Sequence, residues 1–437
     1  MRTVGQRAAP VFRGGLRVGV EGLVPLFILV ATIVALPTTQ AQTFSVLHNF
    51  TGGADGRSPL VGLTIDAAGN LYGTASEGGY GRENVCYPVG CGTVFKLRHT
   101  NSGWLFTPIY HFQGHSDGAY PYGGVTISRD GSLYGTTDIG GTSLCGTVFN
   151  LKPPPAACTA ALCQWTKTTI YSFQGDDGCD PSGPLTLDQA GNLYGTTLNE
   201  NGKGYGNVYE LSPSYGGWTE TVLHAFTLSN GDGIFPGYTG VIFDNAGNLY
   251  GMASGGGDLS CAPGYGCGVV FKLTPSGSGW TESGLYSFAN GSDGAYPEGG
   301  VVFDASGSLY GATTSGGMGG GGTVFKLSSF NGYWNFTLLA TLVSTQQSGG
   351  SWSSLVMDKA GNLYGTSRAG GLYDEGTVFK LTPSNGGWTF SIVHSFYCAT
   401  DGCGPYGSVV FDADGNMYGT TGGGGPSYAG TVWEITP

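Results

Sequence analysis

Apolar positions from residue 43 onward fall in short runs, four to a repeat, separated by Gly-rich polar segments. The clearest copy is Asp358-Lys-Ala-Gly-Asn-Leu-Tyr-Gly-Thr366, followed by Gly376-Thr-Val-Phe-Lys-Leu381. Tyr72, Tyr134, Tyr194, Tyr250, Tyr310, Tyr364 and Tyr418 mark seven copies, 54 to 62 residues apart. The first run of a repeat is of the Val301-Val-Phe-Asp304 type, and the second is Leu-Tyr-Gly-Thr. The third is Gly-Thr-Val-Phe-Lys-Leu, and the fourth opens on Trp, as in Trp388–Phe396. Aromatic and β-branched residues dominate these runs, and helical periodicity is absent beyond the N-terminus, so the runs are read as strands. Apolar residues stand at consecutive positions, as expected of sheets covered on both faces. Four strands repeated seven times at this length predict a β-propeller.

Loop chemistry orders the strands. Asp244-Asn-Ala-Gly-Asn248 is a turn in which Asp caps and Gly takes the left-handed position, so the first two strands form a hairpin. Thr382-Pro-Ser-Asn-Gly-Gly387 does the same for the last two. Strand A is then the Val-Val-Phe-Asp type, B Leu-Tyr-Gly-Thr, C Thr-Val-Phe-Lys and D the Trp strand. The link from D to the next A crosses between blades. The seventh repeat stops at Pro437 after strand C, whereas Thr43–Phe50 reads as a D strand with no repeat before it. The expected fold class is all-β: a seven-bladed β-propeller over 42–437, four strands per blade, closed by the N-terminal strand completing the C-terminal blade.

The A strand, Asp-x-x-Gly-Asn turn and B strand resemble NHL-type propellers. Gly-Asn-Leu-Tyr-Gly-Thr with Gly-Thr-Val-Phe-Lys-Leu more closely resembles the GloVer-type bacterial tandem-repeat family of choice-of-anchor repeat proteins, over nearly all of 43–437. That resemblance implies a secreted or cell-surface protein and carries no activity with it. Some members have a C-terminal anchoring segment, and the final strand of this sequence departs from that pattern.

Composition narrows the partners. Arg2, Arg7, Arg13 and Arg17, the apolar stretch Leu23–Leu36 and Thr39-Gln40-Ala41 form a signal-peptide pattern over 1–41. The 14-residue stretch is short for a membrane span, so no span is expected in the mature chain. Without residues 1–41, which hold four Arg and one Glu, 13 basic residues face 28 acidic ones, a balance of −15. That charge argues against nucleic acid and anionic membranes as partners. Ten cysteines in an exported chain read as disulfides. Cys86/Cys91, Cys158/Cys163, Cys261/Cys267 and Cys398/Cys403 pair locally. Cys145 lies in a B–C loop and Cys179 in a D–A crossover; both loop types leave the same face of a blade, so these two are expected to bond.

Chemistry is less legible. Asp-Gly-x-x-Pro recurs in the crossovers at Asp55, Asp117, Asp177, Asp232, Asp293 and Asp401, with the segment around 343–350 lacking it. These aspartates could ring one mouth and bind a cation or orient a sugar, or could cap turns ended by Pro. Equal repetition favours the turn role. Asp176, Asp177 and Asp180 form the one local acidic cluster. His48, His224 and His394 alternate with Tyr110, Tyr171 and Tyr286 at one D-strand position and read as packing groups. His115, Tyr120, Phe235 and Tyr296 complete the rim candidates. Gly317–Gly322 has dinucleotide-loop spacing but leads into a strand, and no catalytic elbow or metalloprotease motif is present. No cofactor is expected; Ca2+ is compatible with a carboxylate ring but has no motif behind it. The function expected is a secreted, monomeric, non-catalytic binding propeller for a glycan or extracellular protein, using the B–C and D–A loop rim. The alternative is a polysaccharide hydrolase or lyase acting through mouth carboxylates.

Overall fold

The computed structural model describes residues 42–80, 86–155, 164–199, 204–238, 240–277, 279–343 and 350–437. Seven four-stranded antiparallel sheets form a seven-bladed β-propeller. In blade 6, strand A is Val356–Met357, B is Leu363–Ser367, C is Thr377–Ser384 and D is Gly387–Ser395, hydrogen-bonded in that order. The other blades repeat this order. Blade 7 takes A, B and C from Val410–Phe411, Met417–Thr421 and Thr431–Thr436, and its D strand is Thr43–Asn49. That N-terminal strand runs antiparallel to Thr431–Thr436, with Phe44 opposite Ile435 and Val46 opposite Trp433.

The strands of a blade depart from the expected uniform burial. Every residue of a B strand such as Leu363–Ser367 is buried, whereas A strands are two or three residues long and mostly half-buried because they line the axis. D strands alternate exposed and covered residues because only one of their faces meets a neighbour. The C–D turn is also tighter than expected. Thr382, Pro383 and Ser384 remain in the ladder, and only Asn385 and Gly386 turn the chain. Proline is tolerated because strand B has ended at the Leu363–Leu381 pair, leaving one edge of strand C open beyond it.

The A–B turn explains the repeated Asp and Tyr. Asp358 accepts hydrogen bonds from the amides of Ala360 and Asn362 at 2.9 Å and from the Asn362 side chain at 2.7 Å. The Tyr364 hydroxyl donates to the same carboxylate at 3.2 Å. At Asp304, partial burial pushes the carboxyl up, but the donors Ser306, Ser308 and Tyr310 together outweigh it and hold it near about 2.

The core consists of the seams between blades. One seam joins Tyr364, Val378 and Phe396 of blade 6 to Val409, Met417 and Trp433 of blade 7. Another joins Tyr418 and Val432 of blade 7 to Leu71, Phe95 and Leu97 of blade 1, with Phe50 sealing it. Disulfides link Cys86–Cys91, Cys261–Cys267 and Cys398–Cys403. Cys145 and Cys179 are bonded across loops of one face, with Cα atoms 4.4 Å apart. Cys158 and Cys163 lie outside the described residues.

Candidate functional site

The crossover from each D strand to the next A strand is locked in two places. Glycines that open strand C, such as Gly376 and Gly146, abut the proline of the following crossover: a Cβ there would lie less than 3.0 Å from Pro405 or Pro181. On the other side, Thr366 of strand B donates to the Gly407 carbonyl at 3.0 Å, and Thr420 donates to the Val61 carbonyl at 3.0 Å. Between these anchors the residue following the proline is thrust toward the axis. Those residues are Leu60, Tyr122, Ser182, Gly237, Glu298 and Tyr406, with Trp352 following Ser351 in the crossover that lacks proline. Tyr238 follows one position later.

Most of these residues, though not Gly237 or Glu298, line a cavity of about 620 Å³ on the B–C and D–A face. Crossovers of six blades contribute Leu60, Tyr122, Ser182, Tyr238, Trp352 and Tyr406, which places it on the axis. Asp138 and Leu198, each just past a B strand, complete the wall with Asp180. The aromatic side is continuous: Tyr238 and Trp352 lie 6.5 Å apart and Trp352 and Tyr406 6.0 Å apart, both edge-on. The Arg368 guanidinium sits 5.9 Å from the Trp352 ring.

The opposite side is acidic. Ser182 donates to Asp138 at 2.6 Å, and Asn199 donates to Asp180. Burial pushes the Asp138 carboxyl up to about 6, with Ser182 pulling it down and the Asp180 charge pushing it further up. Burial raises Asp180 as well, against the Asn199 hydrogen bond. Glu298 is pushed by burial to about 7, with Arg368 pulling the other way, and its Oε2 is buried without a hydrogen-bond partner. Burial and the Asp138 charge raise the Tyr122 phenol to about 12.

The sequence-derived candidates divide between two places. Of the aspartates singled out from the sequence, Asp180 alone faces the cavity. The Asp-Gly-x-x-Pro carboxylates turn away from it, toward loop amides and the D-strand His or Tyr. Asp293 accepts from the Ala289 amide at 2.9 Å and the Tyr286 hydroxyl at 3.1 Å, and Asp177 from the Gln174 amide at 2.7 Å and Tyr171 at 2.5 Å. Asp55, Asp232 and Asp401 meet His48, His224 and His394 at 3.2, 3.2 and 2.7 Å. Asp117 takes the Tyr110 hydroxyl at 2.7 Å and the Lys167 ammonium at 2.8 Å. Asp176 and His115 are exposed. Tyr120, Phe235 and Tyr296 precede the crossover prolines with φ of 59, 58 and 54°, a left-handed conformation unusual for bulky residues. Backbone strain of this kind collects at functional sites. Tyr120 stacks 6.3 Å from Tyr122, which lines the cavity, and Tyr265 lies between Phe235 and Tyr296 at 5.5 and 5.9 Å.

Sequence reading missed Tyr122, Asp138, Tyr238, Glu298, Trp352, Arg368 and Tyr406. A signal for them existed. Tyr122, Glu298 and Tyr406 follow the crossover proline, Trp352 and Tyr238 lie at or one past the equivalent position, and Asp138 and Arg368 are fourth after the repeat tyrosine, where otherwise regular repeats vary from blade to blade.

Two seams carry acidic groups of a different kind. Among the described residues, His224, Asp232 and Glu282 bring ligand atoms within 4.8 Å of one another and could hold a metal ion. In the seam between blades 1 and 2 the corresponding cation is the protein's own Lys167. Between blades 2 and 3, Glu220 faces Asp177, Tyr171 and Tyr209, and burial followed by the Asp177 charge raises it to about 7. A carboxyl raised on folding contributes stability that is present below its unfolded value and lost as pH rises through the folded one. Glu220→Gln is therefore expected to raise the melting temperature at pH 8 and leave it nearly unchanged at pH 4. An equal shift at both pH values would contradict this assignment.

The sequence profile of the Gloeobacter/Verrucomicrobia repeat matches residues 32–168, 90–262 and 240–437. The chain belongs to that family. Curated proteins show no match to it. Among solved structures, this Gloeobacter/Verrucomicrobia repeat protein is similar to the extracellular domain of a candidate one-component system from B. thetaiotaomicron. Identity is 11% and the TM-score 0.53, over 90% of this chain and 40% of the other, so the chain spans less than half of that protein's length. It is also similar to a candidate 6-phosphogluconolactonase from Bacteroides uniformis, with 15% identity and a TM-score of 0.48 over 80% of this chain and 88% of that one. Identity at this level speaks to fold and not to activity.

Proposed function

We propose that this protein is an exported binding module that takes a saccharide into the axial mouth. The observation that carries the reading is the cavity of about 620 Å³ with Tyr122, Tyr238, Trp352 and Tyr406 on its walls. A pyranose presents an apolar face to an aromatic ring and hydroxyls at its edge. Ser182, Asp138 and Asp180 supply partners for those hydroxyls. The walls stand on variable positions of a rigid repeated frame, the usual placement of recognition residues. The disulfides favour an oxidising compartment outside the cytoplasm. No helix among the described residues is long and apolar enough to cross a membrane. Cleavage after Ala41, monomeric state and lack of nucleic-acid binding belong to the same proposal.

Calorimetric titration with short glucose-, xylose- and glucosamine-based oligosaccharides tests it. Binding by at least one class is expected, weakened about tenfold or more in Trp352→Ala. Trp352 lies outside the inter-blade core clusters, so the variant should melt within about 3 °C of wild type. Absence of binding across all classes would defeat the saccharide reading. One observation favours the hydrolase or lyase alternative: Asp138 and Glu298 are raised to about 6 and about 7, suited to proton transfer near neutrality. Shortened products in the same samples, lost in Asp138→Asn, would decide for it.

A further inference from the structure

The mouth carries more negative charge than the frame requires. Asp138, Asp180 and Glu298 stand at positions occupied in other blades by Ser, Leu, Thr, Arg, Tyr, Phe, Trp or Gly, so no repeat-wide packing role demands a carboxylate there. Asp138 and Asp180 line the cavity with Tyr238, and the Glu298 charge also reaches the Tyr238 phenol. Arg368 is the charged counterpart: it lies over Trp352 and acts on Glu298. Among the described residues, two carboxylates on the cavity wall and a third, Glu298, beside it face one guanidinium, so the region is short of cations. The buried Glu298 Oε2 has no donor, so the site has a vacant acceptor. The carboxyls behave accordingly, since burial raises all three, Glu298 in spite of Arg368.

We propose that the mouth selects a saccharide bearing free ammonium groups, a de-N-acylated amino sugar, with the ammonium held among Asp138, Asp180 and Glu298 against the faces of Tyr238 and Tyr122. The inference rests on the saccharide reading above and adds the charge of the ligand. A bare metal ion fits less well. A cavity of about 620 Å³ walled by aromatic rings exceeds what an ion needs and lacks the close oxygen cage that Ca2+ takes. Aromatic faces with carboxylates suit an organic cation, because the ring quadrupole attracts it while apolar walls strip its water. A neutral or N-acylated sugar would leave the Glu298 acceptor and the surplus negative charge unanswered.

The test compares three ligands of equal length on the full mature chain at pH 7.5 and low salt: a glucosamine tetramer, its N-acetylated counterpart and a cellotetraose. The glucosamine tetramer is expected to bind about tenfold or more tighter than either other ligand, with the preference falling as salt is raised. In Asp138→Asn/Glu298→Gln the ratio of amine to N-acetyl affinity should drop toward one, with circular dichroism confirming the fold. Comparable affinities of wild type for all three ligands would overturn the ammonium inference and leave the saccharide reading standing. Binding to none of them, with binding to no other saccharide class, would remove both.

Discussion

Deletion of residues 42–50 is expected to unfold the whole ring, not to fray one end. The segment supplies the outer strand of blade 7, and its removal leaves the edge of Thr431–Thr436 unpaired. It also opens two seams at once. Phe44 stacks on His394 of blade 6 at 3.9 Å and lies 6.2 Å from Trp433. His48 stacks on Phe106 of blade 1 at 3.6 Å, and Phe50, 1% exposed, packs against Phe95 at 5.3 Å. Loss of one buried Phe side chain costs about 3–5 kcal/mol. The deletion removes Phe50 outright, with Phe44 and a full ladder besides, against a total stability of about 5–15 kcal/mol for a typical domain. Thermal unfolding followed by circular dichroism is expected to show no cooperative transition near that of the intact protein. A truncated protein that melts within about 2 °C of the parent would refute ring closure as the stabilising device.

Gly365→Ala is expected to destabilise the ring by overpacking an inter-blade seam. Gly365 belongs to Leu-Tyr-Gly-Thr, and its missing side chain makes room for the strand C aromatic. A Cβ would lie 2.5 Å from the Phe379 Cζ and 2.9 Å from a Leu355 methyl, both in a fully packed seam. The same glycine faces Phe95, Phe149, Tyr209, Phe271, Phe325 and Trp433 in the other blades. Overpacking of this kind costs about 1–3 kcal/mol or more. Gly387→Ala is the control, because no atom lies within 4 Å of its added methyl and its φ is not positive. Urea unfolding should show a clear loss for the first variant and a change within about 0.5 kcal/mol for the second. Equal stabilities would mean that the ring shifts freely to admit the methyl, contrary to the close packing described.

The Asp-Gly-x-x-Pro aspartates show where sequence reading separates from site geometry. Their turn role was legible, because Asp next to Gly has a local mechanism: the carboxylate caps amides a few residues away, as Asp401 does for Tyr397 at 3.1 Å. Their second partner was not. Pairing with His48, His224, His394, Tyr110, Tyr171 and Tyr286 depends on the D strand returning beside the crossover. The acidic cluster Asp176, Asp177 and Asp180 dissolves for the same reason. Asp177 turns to Tyr171, Asp180 turns to the cavity and Asp176 stays in solvent.

By itself, the amino-acid sequence determined the repeat number, the strand order, the A–B turn chemistry and the completion of blade 7 by the N-terminal strand. Each follows from interactions local to one repeat, or from the need of each strand edge to find a partner. Tertiary structure alone decided that Tyr122, Asp138, Tyr238 and Trp352 share one mouth, with Arg368 over Trp352 and Glu298 within its electrostatic reach. These residues come from several blades, most of them separated by whole repeats, and no sequence motif marks them. Closing the ring brings seven crossovers to one axis, and the repeated glycine–proline and threonine–carbonyl contacts aim the variable residues there.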